Sequence, residues 1–283
     1  MKFPDTGTEY ELRCSGQYRT EEIGEGVYAI DSDAFESMYL IEGSKRAALI
    51  DTGMREGKIM PLIRELTGLP VTLLLTHAHS DHMYHADEFP EIWLHEDDIR
   101  AWKRGLGFMA AVSSPDPRKF FRMSGRFRFM PLKDDSVIDL GGKSLRVIHA
   151  AGHTPGSVIF ADEEDRLLFI GDAVGSGSYA WMWMPFCMKA SDYMQSLEKL
   201  EAGLLPYKDF RFLGGHRMQG YVSDEFPKGH EPDLELVSDM KELCRRLISG
   251  QTKASEFQKQ FGFKTGLYEY GKAAAVYRPC QLK

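Results

Sequence analysis

Long apolar runs are missing from this sequence. No stretch approaches the roughly 20 consecutive apolar residues that a membrane-spanning helix requires. The first sixteen residues, MKFPDTGTEYELRCSG, also hold no apolar core of the kind found in secretory signal peptides. We therefore expect a soluble, cytoplasmic protein that has no membrane partner.

Cysteine is scarce, and basic charge is not in excess. The four cysteines are scattered and show no CxxC pair, which argues for free thiols and against a disulfide framework. The 35 basic residues stand against 42 acidic ones, so the formal net charge is -7. This balance argues against a protein that binds nucleic acid by bulk attraction to phosphate, although it is compatible with a local basic patch.

An alternation of short apolar strands and amphipathic helices is present. Strands are predicted near 26–32, 37–43, 46–53, 71–76, 144–150, 157–162, 166–173 and 209–216, and helices near 56–68, 96–105, 190–203 and 232–250. The pattern is typical of an α/β protein. We predict one domain over residues 1–283, with 221–283 as a helical or irregular C-terminal extension packed on it. Segment 106–130 is interpreted as a helical insertion over a cleft.

Histidines are concentrated in one short segment. Four of the nine histidines lie within residues 77–85, directly after the apolar run VTLLLT. So many titratable groups at a buried strand end are costly unless something compensates for their desolvation. His77 and His79 can point the same way, and Asp81 and His82 follow within one turn. Imidazole and carboxylate are typical Zn²⁺ ligands, so HxHxDH predicts a metal site rather than a histidine-rich polar loop.

Three further polar residues stand where predicted strands end. His153 follows RVIHAAG, Asp172 follows LLFIG and His216 follows FRFLGG. Each is a weak signal alone, because turns of this composition are common. Loops at strand ends are where α/β proteins place functional side chains. Together with HxHxDH, the three residues are therefore candidates for the same site.

These motifs resemble those of the metallo-β-lactamase superfamily of metal-dependent hydrolases. The likeness runs from about Gly26 to Gly220 and is carried by DTG (51–53), THAHSDH (76–82), GHTPGS (152–157), GDA (171–173) and GGH (214–216). The resemblance implies a four-layer αβ/βα sandwich. In that fold two mixed sheets face each other, helices cover the outside, and the metals lie at one edge.

The resemblance also implies a ligand set and a mechanism. Two divalent metal ions are expected, with zinc as the first choice and iron or manganese as alternatives. The implied ligands are His77, His79 and His153 for the first metal, Asp81, His82 and His216 for the second, and Asp172 as a bridge. A hydroxide bridging the metals would attack the scissile carbonyl. Asp81 would orient it and carry a proton to the leaving group, while Asp51 would support the ligands from behind.

The implied reaction is hydrolysis of an ester, thioester or lactone. Asp172 makes the chain more like the glyoxalase II, lactonase and phosphodiesterase branches than like true β-lactamases. The alternatives are a phosphodiesterase on the same site, an iron-dependent oxidoreductase of the same fold, and a non-catalytic binding module. Tyr84 and His85 replace a glycine pair common in the relatives, and His85 is interpreted as a group that supports the site or lies on a helix surface. The histidines interpreted as structural or exposed are His95, His149 and His230.

An aromatic segment, SYAWMWMPF (178–186), follows Asp172 closely. As a wall beside the metals it would suit an apolar or aromatic acyl group of a small-molecule substrate. The candidate substrate-binding residues are Tyr179, Trp181, Trp183 and Phe186, with Phe108, Met109, Phe120 and Phe121 as candidates for the opposite wall. The alternative interpretations are a core segment or the interface of a homodimer.

Overall fold

The computed structural model describes residues 13–175, 179–217, 231–260 and 262–282. Its first large sheet has eight strands that lie side by side in chain order. Strands β1 to β5 are antiparallel, and β5 to β8 are parallel. The strands are β1 (Arg13–Ser15), β2 (Tyr18–Gly24), β3 (Val27–Ser32), β4 (Ser37–Glu42), β5 (Ala47–Ile50), β6 (Val71–Leu74), β7 (Ile92–His95) and β8 (Phe129–Leu132).

A second and a third sheet are built from the later strands. The second sheet has the order β14-β12-β11-β10-β9, and the third has the order β13-β17-β16-β15. Strands β12 and β14 are parallel, as are β13 and β17. The strands are β9 (Val137–Asp139), β10 (Ser144–His149), β11 (Val158–Asp162), β12 (Leu167–Gly171), β13 (Ala180–Trp181), β14 (Arg211–Gly214), β15 (Glu256–Gln260), β16 (Phe263–Tyr270) and β17 (Ala273–Tyr277).

The helices flank these sheets. They are α1 (Met60–Leu66), α2 (Ser80–Met83), α3 (Glu96–Ala101), α4 (Gly107–Ser113), α5 (Pro117–Ser124), α6 (Ala190–Leu204) and α7 (Leu234–Ser249). Short 3-10 turns lie at 86–88, 205–207 and 279–281. Within the described ranges, no helix is both long enough and apolar enough to span a bilayer.

Apolar side chains from the two large sheets meet in a shared core. Tyr39 and Ile50 of the first sheet are buried in one cluster with Val147 and Phe169 of the second. The outer face of the first sheet packs against α1 and the insertion that holds α4 and α5, and that of the second packs against α6 and α7. The predicted four-layer αβ/βα sandwich is confirmed.

The two large sheets touch at the edge where the metal motifs lie. Because β12 and β14 are parallel and pair Gly171 with Gly214, the residues that follow both strands emerge together. Two backbone hydrogen bonds join the sheets at this edge. One runs from the Val158 amide to the Thr76 carbonyl at 2.9 Å, and the other from the Ser37 amide to the Gly215 carbonyl at 2.7 Å. Both bonds hold the strand ends at fixed separation.

Segment 106–130 contains helices α4 and α5, in agreement with its interpretation as a helical insertion. A π-helical turn at 102–106 leads into α4, and Gly105 there has a φ of 127° that side chains rarely tolerate. Helix α5 begins with Pro117, and the Asp116 carboxylate accepts a hydrogen bond of 2.9 Å from the Lys119 amide. Helix α4 packs against α2 and therefore lies beside HxHxDH.

The C-terminal extension differs from the prediction of a helical or irregular tail. Its helix α7 packs against α6 and is followed by three strands, of which β17 pairs with β13. Strand β17 has the sequence AAAVY and is buried along its whole length. The sequence GLYEYGKAAAVYRP favoured a hairpin or an ordered coil without distinguishing them, because a strand covered on both faces shows no polar and apolar alternation. The single domain over 1–283 stays a prediction.

Candidate metal centre

The first group of candidate ligands comes from the loop after β6 and the loop after β10. The Nε2 atom of His77 lies 3.1 Å from Nδ1 of His79, which lies 2.9 Å from Nε2 of His153. His79 occupies the N-cap position of α2 with an extended backbone, and its side chain makes no capping hydrogen bond. Three ring nitrogens from two distant segments thus converge on one point.

The opposite ring nitrogens of His77 and His153 are already occupied. The Thr76 hydroxyl donates to Asp51 Oδ2 at 2.7 Å, so its remaining lone pairs accept from Nδ1 of His77, 3.1 Å away. The Nδ1 of His153 donates to the Trp181 carbonyl at 3.1 Å. These bonds select the tautomers in which the Nε2 lone pairs of His77 and His153 point inward.

The second group brings two imidazoles to two carboxylates. Oδ2 of Asp81 lies 3.6 Å from Nε2 of His82 and 3.4 Å from Nε2 of His216. The other nitrogen of His82 pairs with Asp51 Oδ2 at 2.8 Å, which orients the ring. The buried Nε2 of His82 has no hydrogen-bond partner among the described residues.

Asp172 lies between the two groups. Its Oδ2 is 3.3 Å from Nε2 of His216, 3.5 Å from Nε2 of His82 and 3.7 Å from Nε2 of His153. Gly215 makes this approach possible, since an added Cβ would lie 2.7 Å from Asp172 Oδ1 and 2.7 Å from the His82 ring. A side chain at the second glycine of GGH would therefore clash with the site. Without it, one carboxylate oxygen of Asp172 reaches both groups.

Burial makes the first group neutral. It lowers the pKa of His77 well below the ordinary value and that of His79 to about 3, and it lowers the pKa of His153 as well. Neighbouring imidazoles lower the pKa values of His77 and His79 further. Neutral imidazoles keep the lone pairs that a cation binds.

The second group has the opposite electrostatics. Burial alone would lower the pKa values of its histidines, but the carboxylates of Asp81 and Asp172 raise that of His82 well above its ordinary value. Asp172 is the main group that raises the pKa of His216, to about 10. Burial opposes ionisation of the two aspartates, yet these imidazoles hold both carboxyl pKa values below the ordinary range. Both carboxylates are therefore ionised at neutral pH.

The donor set fits two divalent cations. One ring nitrogen from each of His77, His79 and His153 lies within 4.8 Å of the others, and the donor atoms of Asp81, His82 and His216 meet the same limit. The separations of 3.4 to 3.6 Å between Asp81 and the imidazoles are too long for hydrogen bonds. Nitrogen and carboxylate donors at these separations suit Zn²⁺, as well as other first-row metals.

Asp51 contacts His82 directly and reaches His77 through Thr76. Its Oδ1 accepts the Thr76 amide at 2.8 Å, and its Oδ2 accepts the Thr76 hydroxyl and His82 Nδ1. Its own backbone has a φ of 61°, in the left-handed region. Such strain persists only where the surroundings hold it, which fits a residue fixed for orientation.

Asp98 is a supporting residue that the sequence did not reveal. Its Oδ2 accepts the Ala78 amide and the Thr154 hydroxyl, each at 2.9 Å, and its Oδ1 accepts the Gly156 amide at 2.7 Å. It is fully buried and joins the loop between His77 and His79 to the loop after His153. In the sequence it belongs to the acidic run EDD, which is typical of the exposed first turn of a helix.

The aromatic segment is only partly available to a ligand. Tyr179 and Trp181 are half-buried with ring centroids 5.8 Å apart. Trp183 is 4% exposed and its ring lies 6.3 Å from that of Phe263, while Phe186 packs against Gly105. Ser178, at the start of the segment, lies outside the described residues.

One residue predicted for the opposite wall belongs to the core. Phe120 is fully buried, and its ring lies 6.3 Å from those of Tyr84 and Trp102. That expectation was wrong for Phe120, because helix α5 turns this side chain toward the core of the protein. Phe108 and Phe121 are exposed, and Met109 is half-buried.

The other histidines lie apart from the two ligand groups. His85 is buried, not on a helix surface, and its Nδ1 lies 3.3 Å from Glu88 Oε1. His95 is buried, and its ring stacks on that of half-buried His149 with centroids 4.1 Å apart. With Asp97, these two residues place three donor atoms within 4.8 Å of one another, so their interpretation as structural or exposed stays a prediction. His230 lies outside the described residues.

Comparison with known proteins gives a family and named relatives. A family model described as the Metallo-beta-lactamase superfamily matches residues 32–216. The chain is 29% identical over 274 residues to the acyl-coenzyme A thioesterase MBLAC2 of Homo sapiens, covering 83% of this chain and 97% of that one. It is 27% identical over 194 residues to the hydroxyacylglutathione hydrolase GloC of Haemophilus influenzae, covering 65% and 86%.

A solved structure supports the same assignment. The protein TTHA1623, in a di-iron-bound form, is 28% identical to this chain with a TM-score of 0.51, covering 72% of this chain and 92% of that one. The expectation of a metal-dependent hydrolase is confirmed at the level of enzyme class. The matched region spans more than half of the chain and contains every candidate ligand. The chain belongs to the metallo-beta-lactamase superfamily.

Proposed function

We propose that this protein hydrolyses thioesters at a centre of two metal ions, with zinc as the expected metal. The observation that carries the proposal is the position of Asp172, whose Oδ2 lies within 3.7 Å of imidazole nitrogens from both ligand groups. His77, His79 and His153 would hold one ion. Asp81, His82 and His216 would hold the other, with Asp172 shared. When bound, the metals polarise a carbonyl and make water more acidic.

The chain's own residues supply orientation and proton transfer. Asp81 is 29% exposed, about twice as much as Asp172 or His216, so its carboxylate faces the cleft. We assign it to accept the proton of the attacking water and to deliver it to the leaving group. Thr76, Asp51 and the Trp181 carbonyl hold the ligand imidazoles in their tautomers.

The leaving group favours a thioester over an ordinary ester. A thiol has a pKa of about 8.5, so a thiolate departs with far less protonation than an alkoxide. The relatives named as an acyl-coenzyme A thioesterase and a hydroxyacylglutathione hydrolase both cleave this bond. We propose an acyl-coenzyme A as the first substrate class and an acylglutathione as the second. The half-buried rings of Tyr179 and Trp181 would contact the acyl group.

A panel of substrates tests the reaction. The zinc-loaded protein is incubated with acyl-coenzyme A of several chain lengths, an acylglutathione and a phosphodiester, and thiol or phenol release is followed. We expect turnover of at least one thioester and a loss of at least about 100-fold in the His77→Ala variant. His149→Gln, a histidine outside the ligand groups, is the matched control. Faster phosphodiester hydrolysis, or full activity in His77→Ala, would contradict the proposal.

The identity of the metal, zinc or iron, needs its own experiment. The relative with a di-iron-bound form supports iron as the alternative to zinc. Elemental analysis of protein purified without added metal, combined with an oxygen electrode, distinguishes the two. Iron with substrate-dependent oxygen consumption would favour the oxidoreductase alternative over hydrolysis. A cytoplasmic location, the lack of a nucleic-acid partner and a homodimer stay predictions.

A further inference from the structure

Three large apolar side chains are exposed together on the helical insertion. Phe108 is 59% exposed, Val112 44% and Phe121 45%. Phe108 and Val112 are four residues apart on α4 and share one helix face. The Phe121 ring of α5 lies 5.8 Å from that of Phe108, so the two helices present one surface. Exposed apolar residues are common singly, but a contiguous group usually marks an interaction site.

Cations that pair with no carboxylate among the described residues lie near these side chains in the sequence. Residues 101–128 contain seven basic residues and only one acidic residue, Asp116, in a chain of net charge -7. Asp116 is engaged at the N-terminus of α5. Among the described residues, no carboxylate lies within 4.0 Å of the basic groups of Lys103, Arg104, Arg118, Arg122 and Arg126. We call these five residues with Phe108, Val112 and Phe121 the helical patch.

The helical patch borders the metal centre. Helix α4 packs against α2, which carries Asp81 and His82. The buried side of α5 stacks Phe120 on Tyr84, two residues beyond His82. The π-helical turn before α4 contacts Phe186 through Gly105. A ligand of the helical patch would therefore lie next to the mouth of the catalytic site.

Against the expectation of no membrane partner drawn from the sequence, we propose that the helical patch docks the protein on an anionic lipid surface. Phenylalanine and valine on the exposed faces of two short helices would enter the boundary between headgroups and acyl chains. Lysine and arginine around them would contact lipid phosphates, each contributing through the negative surface potential of the bilayer. This docking is independent of the reaction proposed above. Its consequence, delivery of an amphiphilic acyl substrate to the cleft from the membrane, rests on the reaction proposed above.

The charge of the helical patch argues against a second copy of this chain as its occupant. A two-fold symmetric contact places the same surface on both sides. The five unpaired cations of one copy would then face those of the other, and like charges brought together at an interface cost several kcal/mol. An anionic surface instead gives each cation an opposite charge. Complementarity of charge therefore selects the lipid surface.

Vesicle sedimentation tests the proposal with the metal-loaded full chain. The probes are vesicles of phosphatidylcholine alone and vesicles containing one third phosphatidylglycerol. We expect binding to the anionic vesicles, at least about tenfold weaker binding to the neutral ones, and release by high salt. The triple variants Phe108→Ser/Val112→Ser/Phe121→Ser and Arg104→Gln/Arg118→Gln/Arg122→Gln should each lose binding by about tenfold or more.

Two controls keep the result interpretable. Phe257→Ser/Val137→Ser removes exposed apolar side chains elsewhere, 54% and 53% exposed, and should leave vesicle binding unchanged. Circular dichroism and metal content verify that each variant is folded. Equal binding to both vesicle types, no binding, or equal loss in the control variant would overturn the proposal. So would patch variants that raise KM for a soluble short-chain acyl-coenzyme A while vesicle binding stays unchanged, since the cations would then bind substrate phosphates.

Discussion

Asp98 is the residue on which the alignment of the two ligand loops depends. Its two oxygens accept three hydrogen bonds from donors in both loops. None of these donors belongs to a candidate ligand. Burial raises the pKa of its carboxyl group to about 6, although the three hydrogen bonds oppose that change. The protein thus holds a costly buried carboxyl group where two loops must stay in register.

The Asp98→Asn variant should bind metal more weakly while remaining folded. An amide has only one acceptor oxygen, so at least one of the three donors would face its NH₂ group. Loss of a residue that orients metal ligands typically costs about 10- to 100-fold in metal affinity. Competitive titration against a chelator measures this change. Asp97→Asn, which alters the neighbouring carboxylate paired with Arg100, is the control and should retain wild-type affinity. Unchanged affinity in Asp98→Asn would contradict the positioning role.

His95 should make the protein less stable in acid. Burial, with His149 next, lowers its pKa from 6.5 to about 4. Because the folded state binds the proton more weakly than the unfolded chain, stability is complete above pH 6.5 and is lost as the pH falls toward 4. Between pH 7 and pH 5, this residue should lower the free energy of unfolding of the wild type by about 2 kcal/mol.

The His95→Asn variant isolates that contribution. Asparagine retains an oxygen that can accept the Asp97 amide hydrogen bond now made to His95 Nδ1. Urea unfolding at pH 7 and pH 5 measures the free energy of unfolding for both proteins. The fall between the two pH values should be smaller in the variant than in the wild type. An equal fall in both proteins would show that His95 does not titrate in this window.

The residues that could be predicted from the sequence share one property. The candidate ligands stand at the ends of apolar strands, where their polar side chains are out of place unless they bind something. Asp98 and the burial of Phe120 could not be predicted in that way. An acidic residue in a helix's first turn and a phenylalanine in the run KFFR are each ordinary in an exposed helix, and only the packing of the insertion decides their environment.

At the scale of elements, the two-residue strand β13 links the C-terminal strands to the metal centre. It pairs with β17 and supplies the Trp181 carbonyl that accepts from His153. Neither the pairing nor the strand could be predicted, because two residues carry no periodicity and β17 is buried on both faces. The long helix α7 was predictable from its amphipathic pattern and from Gly250, which has a φ of 74° at its C-terminus.

The Trp181→Ala variant should change substrate preference and leave metal content unaltered. The hydrogen bond to His153 comes from the backbone carbonyl, which alanine keeps. The ring is half-buried beside Tyr179, so its loss should widen the expected acyl site. We expect kcat/KM ratios between long and short acyl chains to change by about tenfold, as a contact of this size is worth 1 to 3 kcal/mol. Phe257→Ala is the control, and equal loss for all chain lengths would contradict the pocket role.

At the scale of the whole molecule, metal binding should stabilise the sandwich. Candidate ligands that follow strands of both large sheets meet at an edge where, within the described part of the chain, two backbone hydrogen bonds cross between the sheets. A chelator should therefore lower Tm by at least about 5 °C, and added zinc should restore it. Chelator already saturated with zinc is the control. An unchanged Tm after complete removal of metal would show that the ligand groups do not join the sheets.

The fold could be predicted only through the resemblance carried by the motifs. The strand and helix pattern indicated an α/β protein but did not distinguish one sheet from two, because sheet order depends on contacts between distant segments. The family resemblance added that information, because the arrangement of two facing sheets was implied by the family and not by the spacing of the motifs. The helical insertion and the third sheet carry no such motif.

A zinc titration of the metal-free protein tests the central claim most directly. Thioester hydrolysis is measured as zinc is added to protein stripped by a chelator. If the seven side chains hold two ions that act together, activity should be absent without metal, rise with added zinc, and reach its plateau at about two equivalents per chain. Full activity in the stripped protein, or no activity with zinc, iron or manganese at any ratio, would contradict the account.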